Sequence, residues 1–475
     1  MKKNLLLKRW ACLGLSLLLA TGMLTGCGNS SENKDAANET KGGQAAESKE
    51  KVETITVWTN DASSKALMTQ MVDDYNNTTG KEKGINIDYK VYGADYEQMV
   101  DLAVSSDQQP ELFKAQLEIL DGYVKKGAVL ALEDMPGGAE YLKKYEGKLK
   151  PLQNIYGGKT YAVPYNVNTI ALVYNKDMFK AAGIVDENGE AKPPVTWDEV
   201  LEDAKKLTNP AKKEYGIALP LKWGSYFDWE FRFPFFGAMG DDMFSSKEGK
   251  FKFSDYAPAM EWLLKIKEDG SYFPGAEGLD NDTARAQFSE GHIGMKFAAS
   301  WDVGVYNEQF PAKIEWGVAP IPKISEDSKN LQFALATTNF AIGKTASEKD
   351  LEKVMEVYKW FHGDEVLAKL YSESKVIPYD FAIAEASGAK PEQKGWEEFS
   401  ALQQQSKIVS MGPTVKLEGK DYRQILNQIW IGEVSIEEGL KDLDERYNEA
   451  LEKGIADGTI NIDDYKDSEF DPAKQ

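Results

Sequence analysis

Residues 161–177 read YAVPYNVNTIALVYNKD, and the fold class follows from them. Ile170, Ala171, Leu172, Val173 and Tyr174 form an apolar run with no polar alternation, as expected of a central strand covered on both faces. Upstream, Ile55 and Val57 alternate with Thr54 and Thr56, which predicts a half-buried strand. Residues 63–77 then carry Leu67, Met71 and Tyr75 at helical spacing. Ile85, Ile87, Tyr89 and Val91 predict a second strand, and Tyr96, Met99, Val100 and Ala103 a second helix. Pro110-Glu111-Leu112-Phe113 predicts a short strand, followed by a helix stopped at Gly127. Downstream, Thr196 and Glu199 are spaced as a capping box ahead of Leu201, Ala204 and Leu207. Ser347 is expected to cap a helix with Leu351, Val354, Tyr358 and Phe361 on its inner stripe. Strands alternating with helices imply an α/β protein with a parallel or mixed sheet.

A length of 475 residues suggests two domains. Apolar residues at 42% and aromatics at 11% suffice for sizeable cores. The balance is acidic, 77 Asp+Glu against 56 Lys+Arg, with no basic patch, so no nucleic-acid partner is expected. The two histidines are His292 and His362, and no cysteine follows Cys27. The folded part therefore has no disulfide and no cysteine metal site, and neither metal nor cofactor is expected.

Lys2, Lys3, Lys8 and Arg9 precede an apolar run over 11–24, shorter than the roughly 20 residues that span a bilayer. The pattern is that of a secretion signal, residues 1–26. Residues 28–52 are polar apart from small residues and Val52, too poor in apolar surface to offset the entropy of ordering. They read as a flexible tether. The end beyond residue 465 is also polar.

Enzyme motifs are missing. There is no G-x-S-x-G, H-E-x-x-H or G-x-G-x-x-G. Gly158-Lys159-Thr160 and Gly343-Lys344-Thr345 resemble the end of a P-loop but lack its first glycine, Gln153 and Thr338 standing there instead. Asp280-Asn281-Asp282 opens like a calcium loop without the glycine and distal glutamate that complete one.

Leu24-Thr25-Gly26-Cys27 resembles the bacterial lipobox, which implies cleavage before Cys27 and acylation of its sulfur. Two or more acyl chains hold a membrane stably. Several further segments, in order, resemble the extracellular solute-binding family that includes maltose-binding protein. They are Thr54-Ile55-Thr56-Val57-Trp58, Gln109-Pro110-Glu111-Leu112-Phe113 and Tyr161-Ala162-Val163-Pro164 followed by Leu172-Val173-Tyr174-Asn175-Lys176-Asp177. Pro194-Val195-Thr196-Trp197-Asp198-Glu199, Phe288-Ser289-Glu290-Gly291 through Ser300-Trp301, and Trp316-Gly317-Val318-Ala319-Pro320-Ile321-Pro322 complete the series. Glu111, Gly294-Met295 and Ser300 depart slightly from the usual residues.

The resemblance implies an α/β, two-lobe periplasmic-binding-protein type II fold with hinge crossovers. It places the first lobe at 53–167 plus 320–341 and the second at 168–319 plus 342–465, with crossings near 166–170, 319–322 and 340–343. It implies no catalysis and no cofactor. The expected role is capture of a carbohydrate, an oligosaccharide above all, for the permease subunits of an ABC transporter. The protein would be a monomer, lipid-anchored outside the bacterial cell membrane.

A sugar ring has an apolar face that aromatics cover and a rim of hydroxyls that polar side chains bond. Trp301, with Asp302 beside it, stands where the family has a stacking tryptophan. Trp223, Tyr226 and Trp229 put three aromatics in one expected loop, which needs a covering partner. Tyr165, Asn166 and Asn168 fall at the first crossing; Trp58, Asn60 and Asp61 end the first strand. Gln116 and Glu118 follow the strand at 110–113, and Asn339 lies at the last crossing. Trp197, Trp262 and Trp360 are expected in cores. The same fold could instead hold a polyamine, a peptide or another solute, or serve as a surface sensor. A glycoside hydrolase would need two carboxylates at a set separation across a cleft.

Overall fold

In the computed structural model the described residues are 52–471, except 94, 329–331, 336–337 and 409–410. The expected signal, Cys27, most of the tether and the last four residues lie outside them.

The alternating residues of the first segment form a parallel pair of strands, Glu53–Thr59 on Ile85–Val91. Ile55 and Val57 are wholly buried. Leu112–Gln116 adds a third parallel strand, and Thr338–Gly343 returns antiparallel between it and Val129–Leu130. The first sheet therefore runs Ile85–Val91, Glu53–Thr59, Leu112–Gln116, Thr338–Gly343, Val129–Leu130. Helix Lys65–Asn77 covers one face with Met68, Val72 and Tyr75, and the other face is packed by Tyr96, Val100 and Tyr123.

The apolar run of the opening stretch becomes Asn168–Asn175, the axis of a second, six-stranded sheet. One edge pairs antiparallel with Ile293–Ala299, every residue of which is buried. The other edge is shared: Trp316–Ala319 pairs with its far half and Phe333–Leu335 with Thr169 and Asn168. Helix Trp197–Leu207 packs here behind the expected capping box, Thr196 accepting from the Glu199 N–H and Glu199 from the Thr196 N–H. Trp197 and Trp262 are core residues, in edge contact at 4.5 Å.

Three expectations are corrected. The segment 319–322 does not leave the second sheet: Ala319 pairs with Leu172 and Ile321 sits in that core. Trp316–Ala319 covers only half of a long central strand, and Phe333–Leu335 must cover the rest before the chain can depart. The return crossing thus falls between Leu335 and Thr338, while 340–343 lies inside the first sheet. Helices Leu351–Phe361 and Asp364–Ser372, expected in the second lobe, bury Val354, Tyr358, Phe361 and Leu370 in the first core. Asp350, not Ser347, caps Leu351–Phe361; the Ser347 hydroxyl donates to Lys344 O.

The crossings lie side by side. Asn166 bridges Pro378, the Val167 N–H donates to Ile377 O at 3.4 Å, and the Tyr379 N–H to Tyr165 O at 3.2 Å.

His362 is 1% exposed beneath this region, edge-on to Tyr165, and burial pulls its imidazole down to about 4. The unfolded chain therefore takes up a proton between about pH 6.5 and 4 that the folded chain refuses. Stability should fall by on the order of 2–3 kcal/mol from this group as pH drops through that window. Urea unfolding of wild type and His362→Phe across pH 4–8 checks it; equal slopes in both proteins would contradict the assignment.

Candidate ligand-binding site

Chemistry gathers where strand ends of the two sheets meet the crossings. On the first sheet, Glu53–Thr59 ends in Trp58, Thr59 and Asn60, followed by Asp61. Trp58 is partly buried, edge-on to Tyr92 at 5.0 Å, and its indole Nε1 has no hydrogen-bond partner among the described residues. Lys114 on the neighbouring strand is 2% exposed. A cation so buried needs compensation. It pairs with Asp61, and its Nζ lies 4.5 Å from the centre of the Tyr165 ring. The Tyr96 hydroxyl ties both strands by donating to Lys114 O at 2.7 Å and Trp58 O at 3.1 Å.

From Tyr165 the chain crosses to the second sheet. Asn166 and Asn168 are half-buried, and Asn166 Oδ1 has no hydrogen-bond partner among the described residues. The Ser300 hydroxyl donates to Asn168 Oδ1 at 3.2 Å. Three residue steps of chain, at most about 10 Å, lead from Tyr165 to Asn168.

The second cluster is aromatic. Phe227–Arg232 is a π-helical turn, and another, Val305–Gln309, follows the short helix Asp302–Gly304. Such turns recur at functional sites because the extra residue re-aims the side chains. Trp229 leaves the first turn half-buried and meets Trp301, at the cap of the short helix, edge to face at 4.7 Å and 79°. Trp223, also half-buried, lines the same hollow.

Beneath the indoles lie two buried ion pairs. Glu230 pairs with Lys296, which also donates to Phe297 O at 2.9 Å. Arg285 pairs with Asp302 at 2.5 Å, and Asp302 accepts the Ala299 N–H at 3.0 Å. Burial, opposed by Lys296, pushes the Glu230 carboxyl up to about 7. Lys296 and Arg285 here, like Lys114 in the first cluster, thus each face a carboxylate, and none of the three is an uncompensated cation.

The structure brings Trp301, Asp302, Trp223 and Trp229 together around one hollow. Trp58, Asp61 and Tyr165 form the other cluster with Lys114 between them; Asn60 adjoins it, and Asn166 and Asn168 link the two. Tyr226 and Asn339 are placed differently. Tyr226 is 1% exposed in the second core, and Asn339 is fully buried inside Thr338–Gly343. Neither can meet a ligand as it stands. The side chains of Gln116 and Glu118 lie outside the described residues. Lys114, Glu230, Asn281, Arg285 and Lys296 escaped the sequence reading. One signal was available: Lys296 interrupts the otherwise uncharged strand IGMKFAA, where a lysine implies a buried partner. Asp280, which opens Asp280-Asn281-Asp282, caps helix Asn281–Ser289 by accepting the Thr283 N–H at 2.8 Å.

Two sheets joined by several crossings, with a polar and aromatic site beside them, define a two-lobe solute-binding architecture. Residues 59–368 match the family described as Bacterial extracellular solute-binding protein, and the chain belongs to that family. A maltotriose-binding protein of Pyrococcus abyssi is 28% identical over 247 residues, 50% of this chain and 47% of its own. The chain thus spans about half the length of such curated relatives. The sn-glycerol-3-phosphate-binding periplasmic protein UgpB of Brucella melitensis is 23% identical over 316 residues, 62% of this chain and 68% of its own. Among solved structures, the GacH receptor of Streptomyces glaucescens, studied unliganded and with acarbose, superposes with a TM-score of 0.67 at 18% identity, over 84% of this chain and 98% of that one. The maltose/maltodextrin-binding domain MalE of Bdellovibrio bacteriovorus, bound to maltotriose, gives 0.64 at 19% identity, over 85% and 100%. These likenesses show the shared fold.

Removing one partner of a buried pair strands the other. Lys296→Met should therefore destabilise the protein by about 3–5 kcal/mol, and adding Glu230→Gln should recover much of the loss. Chemical denaturation of the single and double variants checks this; a double variant as unstable as the single would contradict it.

Proposed function

We propose that the protein captures a neutral carbohydrate between its two lobes outside the cytoplasmic membrane and passes it, unaltered, to the permease of an ABC importer. The observation that carries this reading is the Trp229–Trp301 corner over a charge-balanced floor. Indole faces suit the C–H face of a pyranose, and buried polar groups without net charge suit hydroxyls. A polyamine would want carboxylates without cations beside them; Asp61, Glu230 and Asp302 each have one. A phosphorylated solute would want cations without carboxylates, and Lys114, Lys296 and Arg285 lack that freedom too. The names of relatives that bind maltotriose, and of like structures holding acarbose or maltotriose, support the same class.

In this reading Trp301, Trp229 and Trp223 stack on the sugar. Trp58, Asn60, Asp61, Asn166 and Asn168 bond its rim. Cys27 carries the lipid that holds the protein, a monomer, at the outer face of the membrane. Among the described residues no helix is long and apolar enough to cross a membrane.

Neutral oligosaccharides, maltotriose among them, should quench or shift tryptophan emission and raise the melting temperature, whereas spermidine and sugar phosphates should not. Trp301→Ala should weaken that binding at least tenfold, about 1.4 kcal/mol, with little change in unliganded melting. A response to spermidine alone would refute the carbohydrate assignment, and an unacylated thiol at Cys27 in membrane extracts would refute the anchor.

A further inference from the structure

Under the indoles lies a hollow of about 10 Å³, lined by Trp223, Trp229, Glu230, Asn281, Trp301 and Asp302. That volume suits one oxygen-sized group. Two of its walls carry acceptors with no hydrogen-bond partner among the described residues: Glu230 Oε2 and Asn281 Oδ1, on residues 5% and 7% exposed. Glu230 spends its other oxygen on Lys296. A buried acceptor left unbonded bears the full cost of its lost hydration, so two of them on residues lining one small space call for a donor there. The half-buried tryptophans that line this space are the ones on which a ring would stack.

Resting on the carbohydrate reading, we propose that Glu230 is a specificity-determining residue: its Oε2 accepts a hydrogen bond from one hydroxyl of the sugar stacked on Trp301 and Trp229, with Asn281 as second acceptor. The site then reads a single ring position. An analogue lacking that hydroxyl leaves the carboxylate buried and unbonded, a penalty larger than the loss of one contact. The groups facing Glu230 are few. Lys296 comes from Ile293–Ala299, Asp302 from the short helix after it, Tyr306 from the π-helical turn that follows, Arg285 from Asn281–Ser289 and Tyr226 from the turn preceding its own. Since the Glu230 carboxyl titrates near 7, its charged, accepting form is depleted in the weakly acidic range.

The test is calorimetric titration of wild type and Glu230→Gln with maltotriose, xylotriose, chitotriose and stachyose, then with the monodeoxy derivatives of whichever binds. Wild type should lose at least tenfold in affinity for one monodeoxy derivative and little for the others. Glu230→Gln should bind the parent sugar more weakly and no longer single out that derivative. Wild-type affinity for the parent should fall severalfold from pH 8 to 6, and the variant's should stay flat. Should the variant not fold, the wild-type deoxy pattern and pH profile still decide. Uniform affinity across the derivatives, or unchanged discrimination in the variant, overturns the assignment and leaves the carbohydrate reading standing. Wild type binding none of the saccharides overturns both.

Discussion

Everything in this molecule depends on how its backbone is satisfied where it passes between the sheets. A strand leaving one sheet for another exposes N–H and C=O groups that need partners. Here the passing segments partner each other: Asn166 with Pro378, Val167 with Ile377, Tyr165 with Tyr379, and Asn168 with Leu335 just beyond. So few bonds make a narrow hinge. Each sheet keeps its own core, one built around Ile55, Leu112, Phe340 and Tyr358, the other around Leu172, Trp197, Phe235 and Phe297. Stiff lobes on a thin junction favour rigid-body motion over internal rearrangement.

The same junction explains why polar chemistry collects beside it. Strand ends arrive there from both sheets, and each sheet brings a lysine into a nearly dry position, Lys114 on one and Lys296 on the other. Neither could stay charged without a carboxylate, and Asp61 and Glu230 supply them from separate elements. The first pair ties Asp61, just past Glu53–Thr59, to the neighbouring strand; at the other sheet Asp302 holds the end of Ile293–Ala299 beside Trp301 by accepting the Ala299 N–H. Burying paired charges adds little to stability by itself. Its effect here is to place charge-balanced polar groups beside half-buried aromatic side chains.

Much of the fold was legible in the sequence because local patterns agree with the tertiary structure. The alternation at 54–57 and 85–91, the unbroken apolar run at 170–174 and the Thr196–Glu199 box each state their own conformation. The lobe boundaries were not legible, since pairing of Phe333–Leu335 with the edge of Asn168–Asn175 is a long-range choice. For the same reason the sequence could not assign Leu351–Phe361 to the first core: its amphipathic stripe fits either sheet. At the site, tryptophans announced themselves by type. Tyr226 shared their neighbourhood but lies in the core, at the cap that precedes the π-helical turn carrying Trp229, and helical spacing does not foretell such a turn. The charged partners stayed hidden because an ion pair between residues 230 and 296 leaves no local trace on either side except the lysine in an apolar strand.

The account stands or falls on whether the two lobes close around a sugar. No cysteine follows Cys27, so a version lacking residues 1–27 and carrying Leu102→Cys and Ile324→Cys takes spin labels only at those exposed positions, one on each lobe. Pulsed dipolar spectroscopy then reads the distance between lobes directly. A saturating neutral oligosaccharide should shift and narrow the distance distribution. An unchanged distribution, with calorimetry showing the saccharide bound, would contradict closure.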